Sequence, residues 1–267
     1  MAASAALSPE PSLSLTAPST ELDTRQKAGI ALIVVGVLSF LVALAGAGGL
    51  APIAFFWVGM GGIVGGSALW FSWYRQRAPG DKTGTWHSNL TGRGILAWVM
   101  AVAITAFYVV LYWQDDLGLA WLFAPLVTVF DAFSYLLRGK AADRWFMYGT
   151  FYTLAILVMG VRALIKYRHV RYQQIRTLSV MFFQLSFAFL IPAIFVLLSQ
   201  PELYFSYFWP LDYDQFWPGN MQNLSGTQLG VIFLIFGAVM FFLATPVLTY
   251  FFGKRWFCSW VCGCGGL

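Results

Sequence analysis

Long uncharged runs broken by short charged ones set the pattern of this chain. No Asp, Glu, Lys or Arg occurs from Ala28 to Tyr74. That stretch holds two membrane helices of about 20 residues each, with GAGGLAP at 46–52 as the turn of a helical hairpin. Gly61 with Gly65, and Gly62 with Gly66, give the small-xxx-small spacing that lets a second helix approach closely. Further uncharged runs at Gly94 to Trp113, Trp145 to Val161, Thr177 to Pro201 and Leu229 to Phe252 each predict a span. Pro192 and Pro246 fall inside the last two and should kink them. The segment Leu117 to Leu137 is ambiguous, because Pro125 and Asp131 interrupt it.

Short cytoplasmic loops collect Lys and Arg. Three segments are basic: Arg25 and Lys27; Arg75, Arg77, Lys82 and Arg93; and Lys166, Arg168, Arg171 and Arg176. They fall on one side only if Leu117 to Leu137 does not cross. The expected fold is therefore all-α, a polytopic transmembrane bundle of six spans plus one re-entrant or interfacial helix, with both termini cytoplasmic; seven spans is the alternative. The six-span choice leaves Arg138, Lys140 and Arg144 facing outward, partly offset by Asp143. It also makes Gln200 to Gln228 an external loop rich in Tyr, Phe and Trp, read either as an interfacial aromatic belt or as a quinone-binding pocket.

Composition strengthens the membrane assignment. The chain is 59% hydrophobic and 10% charged, with a mean hydropathy of +0.70, whereas soluble proteins carry about a quarter charged residues. The Ser-, Ala- and Pro-rich residues 1–24 read as a disordered tail, 25–253 as the transmembrane domain, and 254–267 as the start of a cytoplasmic Cys-rich segment. The expected location is the bacterial inner membrane, with lipid and a redox partner or larger complex as partners and no nucleic acid. No G-x-x-x-x-G-K-[ST] phosphate loop occurs, which argues against an ATP-driven pump. His87 and His169, the only histidines, fall in basic loops, so a histidine-ligated membrane haem is not expected. Asn89-Leu-Thr91 and Asn223-Leu-Ser225 fit the short glycosylation pattern.

All three cysteines, Cys258, Cys262 and Cys264, lie in the closing stretch GKRWFCSWVCGCGGL. On a cytoplasmic face thiols stay reduced, and a cluster of them points to metal or redox chemistry. Cys258 and Cys262 are four apart, which puts both sulfurs on one face if the helix continues, with Gly263, Gly265 and Gly266 breaking it. Thiolates suit iron–sulfur clusters, zinc or cuprous copper. Three cysteines leave a [4Fe-4S] cubane one ligand short. Packing of three small residues at a helix end is the plain alternative. Lys254 and Arg255 flank the thiols. Arg162, Lys166, Arg168 and Arg171 share their expected side, either holding an anionic cluster or redox partner or touching lipid headgroups.

The string YFFGKRWFCSWVCGCGGL resembles the junction between membrane and ferredoxin parts in the membrane-bound 4Fe-4S ferredoxin-like proteins, which include the nitrate-reductase accessory quinol dehydrogenase and the nitrous-oxide reductase regulator. Those proteins carry GR-x-x-C-G-W-x-C-P after a membrane helix. Gly253, Arg255, Cys258, Trp260 and Cys262 match it, while Ser259, Gly263 and Cys264 depart from it. The match covers about 15 residues. It implies electron transfer between a quinone pool and a cytoplasmic iron–sulfur centre, with the cluster's fourth ligand outside this stretch and the chain a piece of a longer protein. A non-enzymatic membrane subunit or assembly factor, with cysteines for transient metal binding or packing, is the competing reading.

Overall fold

The computed structural model describes residues 22–76, 95–209 and 211–263. The expectations for residues 1–21, Arg77, Lys82, His87, Asn89 to Thr91, Arg93, Cys264, Gly265 and Gly266 lie outside the described residues. Among those described there is helix and no strand: α1 Thr24–Leu44, α2 Pro52–Arg75, α3 Ile95–Trp113, α4 Ala120–Val127, α5 Asp131–Arg138, α6 Arg144–Lys166, α7 Arg171–Leu185, α8 Ile191–Leu197, α9 Pro218–Ser225, α10 Gln228–Val239, α11 Thr245–Phe252 and α12 Trp256–Trp260. A 3₁₀ turn, Thr128–Phe130, joins α4 to α5. Five-residue π-turns, Ser186–Leu190 and Met240–Ala244, join α7 to α8 and α10 to α11. Long apolar helices able to cross a membrane identify an integral membrane protein.

The α1–α2 hairpin forms as its glycines predict, on one of the two expected faces. A methyl at Gly36 would lie 2.7 Å from the Gly59 carbonyl, and one at Gly66 would lie 2.5 Å from the Gly29 carbonyl. Gly62 likewise faces Leu32 and Gly36, so the backbones touch over about two helical turns. Gly61 and Gly65 face open space and take no part.

The chain's contacts sort its loops between two ends. The Arg168 guanidinium donates to the Arg75 carbonyl at 2.7 Å, so the turn after α6 shares an end with the close of α2 and the start of α1. The α6 and α7 helices run antiparallel, with Gly160 against Met181 and the Gln184 amide donating to Thr153 Oγ1 at 3.1 Å. The opposite end holds the α1–α2 turn, the start of α6 and the end of α8.

Both limits of the ambiguous helix are fixed to that opposite end. Arg138 pairs with Asp143, just ahead of α6, and with Glu202, just beyond α8. Ala120 shares a cavity wall with Gln114, Asp115 and Arg144. Between them, a methyl at Gly48 in the α1–α2 turn would overlap the Pro125 carbonyl. Ala120–Arg138 is long and apolar enough to cross, yet it lies over one end of the bundle. Two limits at one end are what the re-entrant or interfacial helix of the six-span arrangement requires, and these contacts oppose the full crossing of the seven-span alternative. Besides Ala120–Arg138, α1, α2, α6, α7–α8 and α10–α11 are long and apolar enough to cross, and α3 contributes a shorter apolar helix, Trp98–Trp113. Phenylalanines seal the interfacial helix to the bundle: Phe130 packs on Phe40 (5.8 Å between centroids), Phe56 (5.5 Å) and Phe151 (5.1 Å).

Charge follows the two ends. Arg25, Lys27, Arg75, Arg162, Lys166, Arg168, Arg171, Arg176, Lys254 and Arg255 gather at one, with Asp23 as the acid among the described residues there. Arg138, Lys140 and Arg144 sit at the other among Asp115, Asp116, Asp131, Asp143, Glu202, Asp212 and Asp214. This is the asymmetry that the positive-inside rule reads as orientation.

Candidate functional site

The cysteine segment begins with a chain reversal. Gly253 closes α11 at φ +83°, ψ 174°, a conformation that side chains oppose. The reversal turns α12 back toward α7. The Trp260 carbonyl accepts from Ser179 Oγ at 2.7 Å, and the Trp260 ring sits edge-on to Tyr172 at 5.8 Å. Trp256 is buried. The segment therefore packs along the basic end of α7 and does not leave the bundle.

The expectation of two sulfurs on one helical face fails, because the helix stops at Trp260. Val261 has φ −116°, and the Cys262 N–H reaches back to the Phe257 carbonyl at 2.9 Å, a wider turn than an α-helix makes. Cys258 is exposed and Cys262 half-buried, and neither forms a disulfide. The break also falls before Gly263, where the sequence placed it. Gly263 is buried against the middle of the bundle: a methyl there would lie 2.7 Å from Gln184 Oε1 and 3.2 Å from Ile156. Gln184 is about 20 Å along α7 from Arg171, so Gly263 lies well inside the span region.

The two described thiols suit a soft metal by donor chemistry, but among the described residues no three His, Cys, Asp or Glu side chains group around one point. A cubane held by Cys258 and Cys262 needs its remaining ligands from Cys264, which lies outside the described residues, and from another chain segment. Lys254 and Arg255 stand at the head of the segment. Arg168 contacts the α2 terminus, and Lys166 lies over the Tyr167 ring at 5.1 Å. Arg162, Lys166, Arg168 and Arg171 lie at the end from which α12 starts, whereas Cys262, one residue before Gly263, lies deeper in the bundle.

The far end carries a polar constellation that the sequence did not mark. Arg138 is 3% exposed. Its Nη2 donates to Asp143 at 2.9 Å and to Glu202 at 3.2 Å, and the guanidinium lies over Phe146 at 5.0 Å. Glu202 also accepts from the Tyr204 hydroxyl at 2.6 Å. Burial alone would raise the Asp143 carboxyl; the hydrogen bonds from Arg138 and the Phe146 N–H, with the charges of Arg138 and Lys140, hold it below its ordinary value of 3.8. Asp115, just beyond α3, pairs with Arg144 at 2.7 Å. Beside that pair a cavity of about 490 Å³ is lined by Phe123, Val127, Thr128 and Asp131. Asp131 holds the interfacial helix to the start of α6 by accepting from the Ala142 N–H at 2.8 Å.

The aromatic loop 200–228 does not lie wholly as a belt at the surface. Tyr213 and Trp217 stay exposed, but Phe208 is buried and Phe205 packs between Phe195 (6.1 Å), Phe233 (5.3 Å) and Phe236 (5.0 Å). Gln215 anchors the fold-back, accepting from the Trp209 N–H at 2.7 Å and donating to the Phe233 carbonyl at 3.1 Å. No protein-family model, curated protein or solved structure matches this chain.

Proposed function

We propose that this chain is the membrane part of an electron-transfer protein linking a quinone pool to an iron–sulfur centre on its basic, cytoplasmic side. The observation that carries the reading is the segment rooted at the basic end by Lys254 and Arg255, which bears Cys258 and Cys262 and resembles the cysteine element of the membrane-bound 4Fe-4S ferredoxin-like proteins. Cys258, Cys262 and Cys264 would hold the cluster, which supplies one-electron chemistry when bound. A thiolate is the ligand form. The open cleft at the far end, where Phe123 and Val127 stand beside Asp115, Asp131 and Arg144, would be where a quinone headgroup enters from the bilayer.

Iron and acid-labile sulfide analysis of the full-length purified protein tests the reading. We expect both to be present at cluster stoichiometry, and Cys258→Ser or Cys262→Ser to remove them together with the electron paramagnetic resonance signal. Cys264→Ser should have the smaller effect, because its position departs from the element. Unchanged iron in the Cys258 and Cys262 variants would instead support a non-enzymatic membrane subunit whose cysteines pack.

A further inference from the structure

Two spans of this protein carry the same break and the same sequel. In α7–α8 the π-turn Ser186–Leu190 is followed by Ile191 and Pro192; in α10–α11 the π-turn Met240–Ala244 is followed by Thr245 and Pro246. Proline has no N–H to give and its ring crowds the carbonyl four residues back, so the preceding turn widens. Behind each broken span the chain folds back into the bundle with aromatic residues at its tip: Phe205, Phe208 and Trp209 in the first case, Trp256 and Phe257 in the second. The two spans run in opposite directions. The α8 end lies with Glu202 at the far end, whereas Phe252 closes α11 beside Trp260 and, through it, Tyr172 at the basic end.

The two tips meet. Phe208 enters from the far end and reaches Phe236 (6.1 Å), about 12 Å along α10. Trp209 reaches Phe241 at 4.0 Å, about 20 Å along the same span. Phe257 enters from the basic end and packs edge-on to Phe208 at 5.6 Å. A loop and a segment rooted on opposite faces thus touch inside the bundle.

We propose that these two units form an inverted re-entrant pair, and that the aromatic seam between their tips governs aqueous access to Cys262. Broken, inverted spans with irregular chain between them are how membrane proteins place a site away from either surface. Here the seam is packed with aromatic rings, Phe208 against Phe236 and Phe257, and Trp209 against Phe241. Cys258 is exposed, whereas Cys262 is half-buried beyond the turn, its N–H on the carbonyl of Phe257 in the seam, one residue before Gly263. Access to the two thiols, four residues apart, therefore differs because of a contact made by a loop from the opposite face.

Single-cysteine forms of the full chain, Cys258 alone and Cys262 alone, reconstituted in nanodiscs and titrated with a charged maleimide, test this independently of iron. Cys258 should label at least about tenfold faster than Cys262, as expected for burial that must open before reaction. Phe208→Ala should accelerate Cys262 at least about fivefold and leave Cys258 unchanged, while Trp217→Ala, on an exposed ring, changes neither. Equal labelling of the two thiols, or a Cys262 rate indifferent to Phe208→Ala, overturns the proposal. Should Phe208→Ala not fold, a cysteine-free chain carrying Phe208→Cys with Phe257→Cys decides it. A short bis-maleimide should join that pair within one chain and fail with Trp217→Cys and Phe257→Cys; no cross-link in the first pair also overturns it. Failure of the iron assay alone leaves the seam intact and removes only the electron-transfer reading.

Discussion

The α1–α2 hairpin and the last span, α10–α11, are both long, apolar and uncharged, yet they are held in opposite ways. The hairpin is backbone against backbone, with Gly29, Gly36, Gly62 and Gly66 removing every atom that would keep the helices apart. The last span meets the rest of the protein through inserted side chains: Phe205, Phe208 and Trp209 from one re-entrant tip, and the Gln215 amide on the Phe233 carbonyl. Its outer face, with Phe242, Leu243 and Tyr250, is largely exposed. In lipid there is no hydrophobic drive between helices, so close packing and polar contacts must supply association. One region uses the first and the other depends on an inserted wedge.

The sharpest way to break the comparison is to fill the hairpin. Gly66→Val should cost about 3 kcal/mol, since its added atoms meet the Gly29 carbonyl and the Ile33 backbone and neither can retreat. Gly65→Val, one position away on the same helix and facing open space, should change stability by less than about 0.5 kcal/mol. Thermal unfolding in mixed micelles would measure both. Similar losses in the two variants would mean that the glycines matter for helix propensity and not for approach.

Arg138→Ala comes next, and it acts on the interfacial helix that lies over the hairpin's turn. Removing one partner of a buried pair is costly, but Asp143 and Glu202 are 43% and 34% exposed as side chains, so water recovers part of the loss. We expect about 2 kcal/mol. Arg138→Lys should recover only part, because a single ammonium cannot reproduce the planar contact over Phe146. Equal stability of the Lys and wild-type forms would reduce the site to simple charge pairing.

These two sites show what the sequence can carry. The hairpin was readable because its determinant, glycine spacing, is local; only the choice between two glycine faces required the partner helix. The flat course of Ala120–Arg138 was readable through loop charge, since basic segments on opposite sides would have broken the positive-inside pattern. Arg138 itself passed as an outward-facing cation, because its partner Glu202 lies 64 residues away and composition does not reveal such pairs. The re-entrant tips were hidden for a different reason. A belt at the lipid interface and a wedge inside the bundle both call for Phe, Tyr and Trp, and only tertiary packing chooses between them. The cysteine spacing misled because it presumed a helix that ends at Trp260.

Gln215→Leu sharpens the contrast from the other side. It frees the Trp209 N–H and the Phe233 carbonyl, a loss of about 1 kcal/mol for one buried hydrogen-bonded amide. Because the middle of the last span meets the inserted loop, the effect should appear as local opening. Amide exchange should rise in 203–217 and near Phe233, while protection in the α1–α2 hairpin stays as it was. A uniform rise across both regions would show that the wedge and the hairpin unfold as one unit.

The smallest expected effect is a pH dependence at Asp143, outside the spans. Its folded-state carboxyl is held below the ordinary 3.8 by Arg138 and the Phe146 N–H, so the unfolded chain binds a proton more readily than the folded one. The stabilisation is thus complete above about pH 4 and disappears as pH falls through the lowered folded value. Asp143→Asn keeps the cap on the Phe146 N–H, which asparagine serves about as well, and removes only the charge. The stability difference between wild type and Asp143→Asn should therefore be constant from neutral pH down to about 4 and shrink below it. Salt should reduce it at every pH above that window, because the carboxylate is partly exposed. A difference that instead persists unchanged at the lowest pH at which the bundle remains folded would assign the contact to packing, and would leave Glu202 as the carboxylate that holds Arg138 in place.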